Sequence, residues 1–233
     1  MKKIKIFIYN LLCDIKNKYP IIKDILIASM NIFGGNKVKM QGKRNQIVSW
    51  GGVRRRKCRI NIVGNDNIIE LDKRVYLDHV SIHINGNCNQ ICLSKKVLIK
   101  DGEFYIEDNE NSIIIGEDSA LCGKVQLSCI EGTKIKIGKD CLFSSEIILR
   151  TGDSHSVVDM EGNRLNQSKN IILENHVWVG NRVTVLKGVK IPENSVIAAG
   201  SVVTKRFEDA NVIIGGNPAK IIKRKINWMR ERV

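Results

Sequence analysis

Apolar residues through the middle of the chain recur every 22 positions. Ile69, Ile91, Ile113 and Ile135 fall in one column, and Leu71, Leu93, Ile115 and Ile137 fall in another two places on. Val75, Val97, Ser119 and Cys141 make a third column, and Leu77, Ile99, Leu121 and Phe143 a fourth, while Gly42, Gly64 and Gly86 align as well. A spacing of two sends both side chains of a pair to the same face of a strand. A fixed period of this length indicates a solenoid, in which each unit buries its apolar face only against its neighbours. Residues 39–148 hold five such units. From Leu173 the spacing tightens to six, through Val179, Val185, Ile191, Ile197 and Val203, with Val177, Val183, Val189, Ser195, Ser201 and Phe207 four places after each. Three hexapeptides close one triangular coil of 18 residues, so the chain reads as an all-β stack of parallel coils over 39–218.

The two ends depart from this pattern. Ile4, Phe7, Ile8, Leu11, Leu12, Ile15 and Tyr19 are near helical spacing, and Pro20 can open a second helix through Ile25 and Met30 that Gly34 and Gly35 stop. Residues 1–38 are therefore expected to be a helical cap over the first coil, whose strand edges are otherwise unpaired. The other reading is a basic amphipathic contact with a membrane surface through Lys2, Lys3, Lys5 and Lys16. Residues 219–233 are expected to be a basic capping helix with Ile221, Ile222, Ile226 and Met229 on one side.

Aromatic residues are only 5% of the chain, and the apolar set is rich in Ile and Val, which favours strands over a helical bundle. A formal charge of +14 calls for an anionic partner. Nucleic acid is not expected, because the cations are dispersed and no stacking aromatics or known binding motif accompany them. Seven cysteines without paired CxxC motifs read as reduced thiols filling tight places in a stacked core, so a cytoplasmic protein is expected, with no bound metal. The N-terminal apolar run, broken by Asn10 and Asp14, does not read as a secretory signal, and no apolar segment is long enough to span a bilayer.

One long interruption breaks the late register, between Leu149 and Leu173, and it carries the stretch TGDSHS. Loops on a rigid scaffold are where catalytic groups tend to sit. His155 lies inside this loop, and imidazole titrates where it can accept a hydroxyl proton. Asp153 can fix its tautomer or can be an ordinary turn residue. His176, in ENHVWVGN, takes a turn position, and Trp178 two residues later is a large aromatic on the outside of a narrow solenoid, where it needs a partner surface.

The hexapeptides VGNRVT, VLKGVK, IPENSV and IAAGSV, with the closing segment GGNPAK, make residues 137–223 resemble the hexapeptide-repeat O-acetyltransferases, the group that includes galactoside, maltose and capsular-polysaccharide enzymes. The resemblance implies a left-handed coil, an exception to the right-handed crossover rule, and a homotrimer with active sites between neighbouring subunits. It implies acetyl-coenzyme A as co-substrate and His155 as the base that deprotonates a sugar hydroxyl. Trp178 would line the cleft, with His176 as a second candidate for substrate contact or for subunit packing. The N–H of Asn181 would meet the oxyanion. Gly180, Ala199, Thr204, Lys205, Lys220 and Lys223 would contact coenzyme A, although lysine at the last two positions keeps the charge without the bidentate grip of arginine. Lys220 and Lys223 can equally be cations decorating the capping helix.

A capsule, lipopolysaccharide or related surface glycan is the expected acceptor, because the additional coils before the hexapeptides are absent from the small free-sugar enzymes. The alternatives are N-acetylation of a nucleotide-linked amino sugar and a binding β-helix with no chemistry. A zinc carbonic anhydrase is disfavoured, since His79 and His83 lie several coils from His155 and His176.

Overall fold

A computed structural model describes residues 27–29 and 31–232. The first expected helix and the second as far as residue 26, with Met30, lie outside the described residues, whereas 27–29 and 31–33 are helical as expected. The chain winds as a triangular stack whose strands form three sheets of eight, seven and nine members, here called sides A, B and C in the order the chain meets them. Side A begins with the strand Lys37–Gln41, side B with Gln46–Ser49 and side C with Arg54–Arg56. All strand pairs are parallel except the last pair of side C.

The sequence columns are the columns of the core. Ile69, Ile91, Ile113 and Ile135 stand in register on side B, followed by Ile171. On side C, Leu77, Ile99, Leu121, Phe143, Val179 and Ile197 do the same. All of these side chains are buried, each worth about 1.5–3 kcal/mol against exposure. The coils change size along the axis. Side A strands run to six residues at Gly102–Glu107 and Val125–Ile130, but only two at Thr184–Val185 and Val202–Val203. That shortening is where the 22-residue period becomes 18.

The wide coils are held by asparagine. In each wide turn between sides A and B, Asn45, Asn67, Asn89 and Asn111 stack, the backbone N–H of each donating to the side-chain carbonyl of the one before at 2.9–3.1 Å. Thr133 continues the ladder at 3.0 Å. A second, exposed ladder of Asn65, Asn87 and Asn109 runs in the opposite sense. Asn67, Asn89 and Asn111 are buried, so each amide must find partners in the stack itself. Close approach makes glycine obligatory beside the ladder: at Gly64, with φ of 129°, a Cβ would lie 1.9 Å from the carbonyl oxygen of Gly86.

The expected helix over 219–233 does not form. Val212–Gly216 joins side C in parallel, and Ala219–Arg224 folds back on it as an antiparallel strand. That pairing satisfies backbone groups the last coil would leave open, and a six-residue segment has too little length for a 3.6-residue period to prevail over it. Ile221 is half-buried, whereas Ile222 and Met229 are exposed rather than on a packed face. The sheet of side C therefore extends past residue 218. Cys58, Cys129 and Cys141 fill the core as expected, but Cys88 and Cys122 are exposed.

At the other end, helical residues 27–29 and 31–33 are tied to the edge of side C by two asparagines. Asn31 accepts from Arg55 N–H at 2.7 Å and donates to Val53 O, and Asn36 accepts from Cys58 N–H and donates to Arg55 O, both at 3.0 Å. They supply the hydrogen bonds that a preceding coil would have made.

The buried ladder should matter far more than the exposed one. Asn89→Ala leaves the N–H of Asn111 and the carbonyl of Asp108 without partners inside the stack and should destabilise by about 2–4 kcal/mol. Asn87→Ala should cost less than about 1 kcal/mol, since water replaces its bonds. Denaturant midpoints of the two variants check this, and equal losses would contradict the assigned role of burial.

Candidate active site

The register break is a loop leaving the corner between sides A and B, from the strand Ile147–Arg150 to the strand Ile171–Leu173. It folds as a small hairpin, with Val158 bridging Arg164 and the carboxylate of Asp159 accepting from the N–H groups of Glu161 and Asn163. Arg164 and Ser168 both reach Glu131, at 2.8 Å each, and pin the loop to the coil below. Asn166 organises its centre. Its amide nitrogen donates to the backbone oxygen of His155 and to the carboxylate of Asp153, both at 2.8 Å, while its carbonyl accepts from Val157 N–H.

His155 is exposed, and its imidazole makes no hydrogen bond to a described residue. Asp153 is engaged elsewhere: the Lys187 ammonium, at 2.5 Å, and the Asn166 amide hold its carboxyl below the ordinary range. Asp153 is thereby a charged anchor for the loop stem. The path from Asp153 to His155 runs through Asn166, which binds the backbone of the histidine.

Beneath the loop lies a cleft of about 630 Å³, lined by Ser168 and Lys169 of the loop stem and by Lys187, Lys190, Thr204, Lys205 and Arg206. Of its five cations Lys187, Lys190 and Arg206 are paired with Asp153, Glu174 and Glu208, while Lys169 and Lys205 make no ion pair with a described residue and suit phosphate groups. Of the residues expected to bind coenzyme A, this cleft contains Thr204 and Lys205. Lys220 and Lys223 are exposed on the antiparallel strand Ala219–Arg224 and do not line it.

Gly180, Asn181 and Ala199 come together at the corner between sides C and A. A Cβ at Gly180 would lie 2.7 Å from the nitrogen of Ala199, so only glycine permits this stacking distance. The Asn181 side chain accepts from Ser145 N–H at 3.1 Å, and its carbonyl accepts from Gly200 N–H. Its own N–H donates to no described residue, which leaves it free to meet an oxyanion.

Trp178 projects from side C and is 38% exposed. Its neighbour is Trp228, with ring centroids 6.1 Å apart. His176, one corner residue in a left-handed column that includes Asp118, Asp140 and Asn194, stacks on the same ring at 4.2 Å. Its Nδ1 lies 2.7 Å from the Asp140 carboxylate and its Nε2 3.0 Å from the Trp228 carbonyl, while the Trp228 indole donates to His176 O at 2.8 Å. Arg230 completes the clamp on Asp140 at 2.8 Å. Burial works against ionisation of Asp140, but the hydrogen bonds from His176 and Arg230 prevail and hold its carboxyl below the usual range. His176 thus fastens the segment after the hairpin. Asn166, Lys187, Asp140 and Trp228 were not visible as site residues in the sequence, because their partners are 13 to 90 residues away.

Comparison with known proteins places residues 170–205 in the family described as bacterial transferase hexapeptide (six repeats). The chain is 38% identical over 97 residues to a polysialic acid O-acetyltransferase of Escherichia coli O1:K1 / APEC, covering 41% of this chain and 31% of that one. It is 33% identical over 110 residues to the polysialic acid O-acetyltransferase of Neisseria meningitidis, covering 47% of this chain and 51% of the other. The matches thus span only about a third to a half of these curated relatives. The solved structure of a polysialic acid O-acetyltransferase superimposes with a TM-score of 0.80 at 31% identity, covering 84% of this chain and 92% of that one.

The clamp has a measurable consequence. His176→Ala should release Trp228, one of three tryptophans, giving a red shift and stronger quenching of the emission. Since the folded pKa of Asp140 is lowered, its contribution is present above the unfolded value of about 3.9 and is lost as pH falls through the depressed folded value. The parent should therefore show the same red shift in acid, and Asp140→Asn should show it at neutral pH. Parental emission from Asp140→Asn at neutral pH would refute this reading of the clamp.

Proposed function

Because the chain belongs to the hexapeptide-repeat, left-handed β-helix acetyltransferases, we propose that it moves the acetyl group of acetyl-coenzyme A to a hydroxyl of a surface glycan. The observation that carries this reading is the His155 loop, which replaces a simple turn and whose stem, through Ser168 and Lys169, lines a cation-rich cleft. The cations suit the phosphates of coenzyme A, and an exposed imidazole on the loop whose stem lines that cleft suits a proton acceptor.

In the proposed reaction, His155 takes the proton from the acceptor hydroxyl as its oxygen attacks the thioester carbon. The N–H of Asn181 stabilises the oxyanion of the tetrahedral intermediate. Collapse breaks the carbon–sulfur bond, and the departing thiolate takes the proton back from the imidazolium. The ester forms without a covalent enzyme intermediate. Donors and base held in place in advance are the source of rate enhancement on such a scaffold. Asn166 acts as a positioning residue, holding the backbone of His155.

Within one chain, His155 leaves the corner between sides A and B, whereas Asn181 sits at the corner between sides C and A. A side of six residues is roughly 20 Å long. Val157, Val158, Met160 and Leu165 of the loop are also exposed, an apolar group that calls for a covering surface. Both observations support a homotrimer in which the loop of one subunit lies against Trp178 and Asn181 of the next, with acceptor and coenzyme A between them.

The activity is tested by release of free thiol from acetyl-coenzyme A in the presence of capsular or lipopolysaccharide glycans. His155→Ala should reduce turnover by roughly 10²- to 10⁴-fold, with the Michaelis constant for acetyl-coenzyme A nearly unchanged and the acid-side limb of the pH profile gone. If this variant keeps more than about a tenth of parental turnover, His155 is not the base.

Sharing of the site between subunits has its own signature. His155→Ala and Trp178→Ala should each be impaired alone, yet mixed trimers refolded from equal amounts should regain activity at about a quarter of the sites, where an intact loop meets an intact tryptophan. No recovery in a mixture that demonstrably exchanges subunits would assign both residues to the same chain's site.

A further inference from the structure

The first coil differs in charge from every other part of the stack. Between residues 36 and 60 the chain has nine lysines and arginines and no aspartate or glutamate. Arg44 and Arg56 reach across to Asp66 and Asp78 of the next coil. Lys37, Lys57 and Arg59 make no ion pair with a described residue and line, with His79, a groove of about 360 Å³.

The same end is apolar at its face. Val38 and Met40 take inward register positions above Ile60 and Ile62, yet they are 46% and 47% exposed, since no described coil lies over them. Ile32 and Phe33 are 74% and 86% exposed. Their exposure is not slack: the turn carrying them is tied to side C through Asn31 and Asn36, which make four hydrogen bonds to the backbone of residues 53–58. Trp50, at a corner of the first coil, is half-exposed as well.

We propose that this end of the β-helix is a docking face for an anionic lipid bilayer, with Ile32 and Phe33 entering the headgroup boundary and the cations of the first coil meeting lipid phosphates and carboxylates. A rigid apolar pair ringed by cations is the arrangement an anionic interface selects, since each basic residue near the surface and each buried methylene add to binding. A soluble polyanion would use the cations but gain nothing from the isoleucine and phenylalanine, which is why the bilayer is favoured. The groove lies at the opposite end of the stack from the terminal hairpin and is independent of acetyl transfer. Docking would hold the coil axis away from the surface and direct the enzyme toward glycans assembled at a membrane. It would also confine the protein to the membrane face rather than the bulk cytoplasm.

The test is co-sedimentation of the full-length protein with vesicles of phosphatidylcholine alone and of phosphatidylcholine with 30% phosphatidylglycerol. Binding should be confined to the anionic vesicles and should weaken as salt is raised. The triple variant Lys37→Gln, Lys39→Gln, Lys57→Asn should bind about fivefold less tightly per cation removed, on the order of 100-fold in total. Ile32→Ser with Phe33→Ser should weaken binding at least about tenfold. All five side chains are exposed, and an unchanged circular dichroism spectrum keeps the comparison valid. Unaltered vesicle binding in both variants overturns the proposal, because the contact then lies elsewhere. Loss in the cation variant alone assigns the face to a soluble polyanion. A change in oligomeric state of the serine variant, with vesicle binding intact, assigns it to a second copy of the chain. Either outcome overturns the bilayer.

Discussion

Every backbone hydrogen bond between coils runs along the axis of the stack, so each coil must place its strands where the previous coil left its donors and acceptors. That constraint of vertical register governs everything else in the molecule. It explains why an apolar side chain recurs at one position for six coils, as with Leu77 through Ile197. It also explains why insertions are tolerated only at corners. The 20-residue loop enters at such a corner and leaves the register of Ile135 over Ile171 undisturbed. Asparagine extends the same rule to turns, because its amide has a donor and an acceptor and can imitate the backbone it lies beside.

Much of this was legible in the chain. Period 22 and then period 6 located the core columns by residue, and the gap between Leu149 and Leu173 located the loop. The asparagine ladders were written just as plainly, in GNDN, GNCN and DNEN, but asparagine in a turn ordinarily reads as turn chemistry, and only the stack reveals its continuity. The terminal strand reads as helix in the sequence because AKIIKR suits either period and the deciding factor, an open strand edge on Val212–Gly216, is tertiary.

The site was legible to a different depth. The sequence isolates His155 by its loop, and the DSH setting suggests an acid–histidine pair. The folded loop instead gives Asp153 to Lys187 and leaves Asn166 to hold the histidine backbone. Lys187 sits in a hexapeptide coil with nothing local to mark it. The cation cleft has the same origin: Lys169, Lys190 and Arg206 are unremarkable singly and become a feature only when successive turns superimpose them. Function on a solenoid is thus distributed in columns that the linear sequence scatters at intervals of one coil.

The segment after the hairpin departs from this layered logic. Arg230 touches the carbonyl of Asp118 and the carboxylate of Asp140, and Trp228 stacks on His176, so one short stretch fastens three successive coils lengthwise. In a stack where each unit senses only its neighbours, stability propagates stepwise and can fray stepwise. A lengthwise staple couples layers that otherwise melt independently. During synthesis on the ribosome, those three coils emerge and stack before the staple exists, and they acquire their cooperativity only when residues made later close over them.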